Sequence, residues 1–186
     1  MLKILLVEDN LEDASFIQGL LKEGLHNQLT LHQAPTAQHG LDLAKQNPLQ
    51  AILLDVNLQQ ELGLDYIRQF IEFCPGTPIL IMSEVENEEL ALEAVKKGAQ
   101  DYLIKGQITS SGLCRAIRYA MERQRATQRI THLAHYDHLT GLANRGLFYE
   151  RLNSAVARCN RHDTATALVF LDLDHFKAIN DSMGHE

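Results

Sequence analysis

"AILLDV", residues 51–56, sets four apolar side chains ahead of a carboxylate and one more behind it. A short apolar run without alternation reads as a strand covered on both faces. Four other runs share the pattern: "KILLV" (3–7), "LTLHQA" (29–34), "PILIMS" (78–83) and "DYLIK" (101–105). Helix-like segments lie between them, near 11–24, 36–46, 62–72 and 86–97, with Gly24, Gly63, Gly76 and Gly98 at plausible ends. Strands alternating with helices predict an α/β fold with a doubly wound, five-stranded parallel sheet, closed by a helix from about residue 109.

That helix runs on without Pro or Gly from Leu113 to about Leu133. Leu113, Ile117, Ala120, Ile130 and Leu133 can share a stripe, interrupted by Gln124 and Thr127, while Arg115, Arg118, Arg123, Arg125 and Arg129 fill the outer face. A solvated connecting helix that pairs with its twin explains this better than a nucleic-acid grip, since no recognition motif accompanies the arginines. After it come a turn and a helix near 145–160. "TALVFLDLD" (166–174) then reads as a strand, and a further helix begins after it.

Bulk properties narrow the class. The 186 residues are 45% hydrophobic and 22% charged, ordinary for a globular protein. No apolar run approaches the roughly 20 residues a bilayer span needs, and the start does not read as a signal peptide. Cys74, Cys114 and Cys159 are odd in number and scattered, which argues against a disulfide framework or zinc site and favours the cytoplasm. Residues 1–110 carry seven basic and sixteen acidic side chains, whereas residues 111–186 carry ten and eight, so two differently tasked segments are expected.

The acids of the first segment have an order. Ligands of an open parallel sheet gather beyond the carboxyl ends of its strands. Glu8 and Asp9 follow the first run, Asp55 ends the third, Ser83 the fourth and Lys105 the fifth. Any one of these alone is an ordinary loop residue or helix cap. Together they predict three carboxylates that need a hard, oxygen-ligated cation such as Mg²⁺, beside a lysine suited to a phosphoryl group.

At these residues, through "LLVEDN", "AILLDVNL", "LIMS" and "DYLIKG", the chain resembles the receiver domain of two-component response regulators over roughly residues 1–120. The resemblance implies a flavodoxin-like fold, with Asp55 as phosphoryl acceptor from a sensor histidine kinase or phosphotransfer protein. It implies Mg²⁺ held by Glu8, Asp9, Asp55 and the main-chain carbonyl of Asn57. It implies Ser83, Tyr102 and Lys105 as the groups that answer phosphorylation. Two positions depart from the pattern: Gly106 stands where proline is usual, so a trans peptide is expected, and Glu84 stands where a small residue is usual.

A second resemblance follows. "YDHLTGLANRGLFYERL" and "FLDLDHFKAINDSMGHE" are similar to the opening of a diguanylate cyclase (GGDEF) domain over residues 137–186. It implies Asp172 and the carbonyl of Leu173 as part of a second metal site. It also implies Asp172, His175, Phe176, Lys177 and Asn180 as part of a GTP site. The Gly-Gly-Asp/Glu-Glu-Phe hairpin occurs nowhere in the sequence, so residues 137–186 are expected to be a truncated, incomplete α+β cyclase segment that does not itself make cyclic di-GMP. Residues 121–136 then form a helical linker, expected to mediate a homodimer, and GTP would be bound only by an intact parent. His132, His135 and His138 read as surface histidines. The alternative expectation is a non-enzymatic phospho-receiver that acts as a protein-interaction adaptor. Neither nucleic acid nor a membrane is expected as partner.

Overall fold

In the computed structural model, which describes residues 1–25, 28–58, 61–172, 174, 175 and 181, the first segment is the expected doubly wound α/β unit. Its elements are β1 (Leu2–Val7), α1 (Leu11–Leu25), β2 (Leu29–Ala34), α2 (Ala37–Gln46), β3 (Ala51–Asp55), β4 (Asn57–Leu58), β5 (Glu61–Leu62), α3 (Ile67–Phe73), β6 (Ile79–Ser83), α4 (Glu88–Lys97), β7 (Asp101–Ile104) and α5 (Ser110–His135). Five strands form one sheet in the order β2-β1-β3-β6-β7, every neighbouring pair parallel.

The uninterrupted apolar strands follow from this arrangement, because alternate side chains enter two separate cores. Leu5, Val7, Ile52, Leu54, Ile79 and Ile81 pack with Leu41, Ile67, Phe70 and Ala94 from α2, α3 and α4. Ile4, Leu6, Leu53, Leu80 and Met82 pack with Ile17 and Leu21 of α1 and with Leu113, Ile117 and Ala120 of α5. Local chemistry sets the helix ends. Asn10 accepts from the Glu12 and Asp13 amides at 2.8 and 3.3 Å, Thr36 starts α2, and Asn87 accepts from the Glu89 and Leu90 amides at α4. Gly98 closes α4 in the left-handed region at φ 109°.

Three expectations change. The segment read as one helix over 62–72 begins with the two-residue antiparallel pair β4–β5 and a 3₁₀ turn (Gly63–Tyr66) before α3. Gly63 is required there, because a Cβ would run into the carbonyl oxygen of Asp55. The apolar stripe of α5 divides: Leu113, Ile117 and Ala120 are buried, whereas Ile130 and Leu133 are each 68% exposed. Its interrupting glutamine also has a role, since Gln100 Nε2 donates to Gln124 Oε1 at 3.4 Å. Finally, the strand expected over 166–174 does not form in its described residues, where Val169, Phe170 and Leu171 are largely exposed. A strand is stable only with a neighbour for its amides and carbonyls, and none of the described residues pairs with it.

The chain divides into two compact units, Met1–His132 and Leu133–Glu186. In the second, α6 (Arg145–His162) follows a loop closed by a Tyr136–Ala143 bridge. Thr140 donates from its amide and hydroxyl to Asp137 Oδ1 at 3.0 and 2.7 Å, and Asn144 Nδ2 donates to the Ala134 carbonyl at 2.7 Å. The bonds from Thr140 hold the exposed Asp137 carboxyl below its usual range. None of this unit's described residues is buried.

Candidate functional site

Parallel strands that end at one edge bring their last residues together, and here that edge collects the acids. Glu8 follows β1, Asp55 ends β3, Ser83 ends β6 and Lys105 follows β7, and all four are buried. Carboxylate oxygens of Glu8, Asp9 and Asp55 lie within 4.8 Å of one another. Lys105 Nζ stands 2.7 Å from Glu8 Oε2 and 3.3 Å from Asp55 Oδ1. Five residues from distant parts of the sequence thus occupy one rim in the order that the strand ends predict.

The site also has a member that the sequence reading did not include. Asp13 Oδ2 lies 2.6 Å from Lys105 Nζ, the shortest of the lysine's three carboxylate contacts. Asp13 sits in the first turn of α1, four residues after Asp9. Asp9 lies before the helix begins, so no helical periodicity links the two acids, and nothing in the local sequence singles out Asp13.

Burial and like charge act on the acids together. Desolvation, followed by the neighbouring Glu8 charge, pushes Asp55 up to about 7, against the pull of Lys105 and the Asn57 amide. Burial likewise raises Glu8 above the usual carboxylate range. For Lys105, burial disfavours the ammonium, but the hydrogen bond to Asp13 and the close carboxylates of Glu8 and Asp55 outweigh it and hold the group above its ordinary value.

Among the described residues, nothing donates a well-directed hydrogen bond to the buried Glu8 Oε2 or Asp55 Oδ1, although each lies near the ammonium. Buried carboxylate oxygens without donors are costly. A cation among oxygens of Glu8, Asp9 and Asp55 would satisfy them, and an all-carboxylate set suits a hard divalent ion. The donor set therefore fits a metal.

The remaining expected residues surround this centre. Ser83 Oγ donates to the Val85 carbonyl at 3.1 Å and accepts from the Val85 amide at 3.2 Å. Tyr102 Oη donates to the same carbonyl at 3.0 Å. The hydroxyl and the phenol thus meet on one oxygen of the β6–α4 loop. Asn57 begins β4, directly after the acceptor strand. Glu84 is exposed, and the Lys105–Gly106 peptide is trans within a short 3₁₀ turn.

The second expected site is not assembled among the described residues. Asp172 and His175 are exposed, and Leu173, Phe176, Lys177 and Asn180 lie outside the described residues.

Comparison with known proteins adds a family to this geometry. The model for "Response regulator receiver domain" matches residues 4–118, and the model for "Diguanylate cyclase, GGDEF domain" matches residues 134–186. The diguanylate cyclase DgcS of Shewanella oneidensis is 28% identical over 160 residues, covering 81% of this chain and 47% of that protein. The diguanylate cyclase TpbB of Pseudomonas aeruginosa is 46% identical over 56 residues, 30% of this chain and 13% of that protein. Among solved structures, the signal receiver domain of a modulated diguanylate cyclase from Desulfovibrio desulfuricans superimposes with a TM-score of 0.59 at 18% identity, covering 67% of this chain and 97% of that one. The chain spans less than half the length of the curated relatives it matches.

Proposed function

Because the chain belongs to the response regulator receiver family, we propose that it is a phosphorylation-controlled switch whose acceptor is Asp55. One observation carries the reading: oxygens of Glu8, Asp9 and Asp55 gather within 4.8 Å at a sheet edge where Lys105 reaches Asp55. An acidic cluster of this kind, in front of a buried lysine, suits a phosphoryl transfer site better than a structural ion pair.

The donor is a phosphohistidine on a sensor kinase or phosphotransfer protein. An Asp55 oxygen attacks phosphorus, the new O–P bond forms as the N–P bond breaks, and the imidazole leaves with the electron pair. Glu8, Asp9, Asp55 and the main-chain carbonyl of Asn57 would hold Mg²⁺, which would supply charge neutralisation between the two anionic partners. Lys105 takes a phosphoryl oxygen. Ser83 turns from Val85 toward the new group and Tyr102 loses its shared acceptor, so the β6–α4 loop moves.

For the whole protein, we infer a diguanylate cyclase output. The GGDEF match over residues 134–186 and the cyclase relatives support it. Residues 1–120 are the receiver, 121–136 the linker and 137–186 the opening of the cyclase domain. Asp172, the Leu173 carbonyl, His175, Phe176, Lys177 and Asn180 contribute to its metal and GTP sites. Two copies pair through α5, whose Ile130 and Leu133 are exposed, because joining two GTP molecules needs two facing half-sites. No helix among the described residues is long and apolar enough to cross a membrane, and the cytoplasm, where GTP and kinases meet, is the proposed location.

Incubation with acetyl phosphate and Mg²⁺, followed by intact-mass measurement, tests the switch. One phosphoryl mass on the wild type and none on Asp55→Asn is expected. No gain on the wild type refutes it.

A further inference from the structure

A lysine ammonium has three N–H donors and no acceptor. The Lys105 ammonium lies close to three carboxylates, at 2.6 Å to Asp13 Oδ2, 2.7 Å to Glu8 Oε2 and 3.3 Å to Asp55 Oδ1. The acceptor has the longest contact. The bond to Asp13 is well directed, whereas Glu8 Oε2 and Asp55 Oδ1 accept none that is. The resting lysine is therefore committed mainly to a helix residue and not to the group on which phosphate would arrive.

We propose that Asp13 is a positioning residue that competes with the phosphoryl group for Lys105 and so weakens the phosphorylated state. The inference rests on the reading of Asp55 as acceptor and adds a residue to it. Two features support a competitor over a mere anchor. The lysine side chain is 7% exposed and hence confined by its surroundings, so losing one partner leaves its stem in place. Asp13 is 28% exposed, so its carboxylate stays solvated at the rim while it holds the ammonium. Glu8 differs, because a bound cation would occupy its carboxylate and release a lysine donor. Asp13 lies outside the Glu8–Asp9–Asp55 cluster, so a cation there leaves its hold on the lysine intact.

The test uses beryllium fluoride with Mg²⁺ as a phosphoryl mimic, titrated into the full chain and followed by fluorine NMR. Asp13→Asn is expected to bind about fivefold more tightly than the wild type, the scale of one partly exposed charge pair. Asp13→Glu, which restores the charge, is expected within about twofold of the wild type on the same scale. Glu12→Gln removes an equal charge from the same helix turn at an exposed position and should change nothing. Equal or weaker binding by Asp13→Asn overturns the proposal, as does equal tightening by Glu12→Gln. Failure of the wild type to bind the mimic overturns the Asp55 reading as well, and that control separates the two failures.

Discussion

Asp55→Asn should make the metal-free protein more stable, although it removes the proposed acceptor. Asp55 is only 4% exposed, and burial and the Glu8 charge raise its carboxyl from 3.8 to about 7. At about 1.4 kcal/mol per unit, the ionised carboxylate costs the fold at most about 4 kcal/mol. Asparagine has the same shape and can still accept the Asn57 amide. The attraction of Lys105 is already contained in that raised value, but the new amide buries N–H donors that lack a matched acceptor, which offsets part of the gain. About half the ceiling, roughly 2 kcal/mol, should remain, which for a unit of this size is a rise in Tm on the order of 5–10 °C. The direction of the pH dependence follows from a folded value above the unfolded one. The cost is fully present above about 7, shrinks as pH falls and is absent below the unfolded value near 3.8. Thermal melts in chelator from about pH 8 down to about pH 4 should therefore show the variant's advantage closing. A variant no more stable than the wild type at the alkaline end, or an advantage independent of pH, would refute the reasoning.

Lys105→Ala should lose about 3 kcal/mol near neutral pH, because it strands buried carboxylates, and chemical denaturation should show the loss narrowing as Glu8 and Asp55 take up protons. Mg²⁺ affinity measured by calorimetry should fall as pH drops through about 7, where Asp55 begins to protonate, and should be lost in Asp55→Asn. Leu113→Ala should cost about 2–5 kcal/mol by opening a cavity beneath α5. Ile130→Ala on the same helix, its side chain exposed, should stay within about 0.5 kcal/mol when measured on the dilute monomer, where no partner helix covers it; equal losses there would contradict the division of the helix face.

The sheet was legible because its chemistry is redundant. Ile52 and Leu53 enter opposite cores, so the strand has no polar face to hide it, and the edge where ligands gather follows from strand direction alone. Asp13 was harder to read. It lies within a helix rather than at a strand end, and only folding brings it within 2.6 Å of a residue 92 positions away. The β4–β5 pair was missed because two residues carry no periodicity. "TALVFLDLD" misled for the opposite reason: its pattern records what a strand would bury, but pairing is a property of two segments, and Phe170 is 82% exposed.

The site's charge count links the two halves of its proposed chemistry. Glu8, Asp9, Asp13 and Asp55 face a single ammonium, so the fully ionised rim carries three negative charges in excess. Protonation of Asp55 relieves part of that excess, and this adds to burial, the larger cause, in pushing its carboxyl up to about 7. A divalent cation relieves more and frees Asp55 to react as the carboxylate. Adding a phosphoryl group then returns a charge of about −1.5 to −2 to the same space. If the cation binds the phosphorylated site more tightly than the resting one, the phosphorylated state gains stability from the cation by the same factor, since coupling between two ligands is reciprocal. A rim with fewer acids would hold the ion less firmly and depend on it less. On the proposed reading, the surplus of carboxylates would make phosphorylation conditional on the cation, because Lys105, already engaged by Asp13, would not take the cation's place.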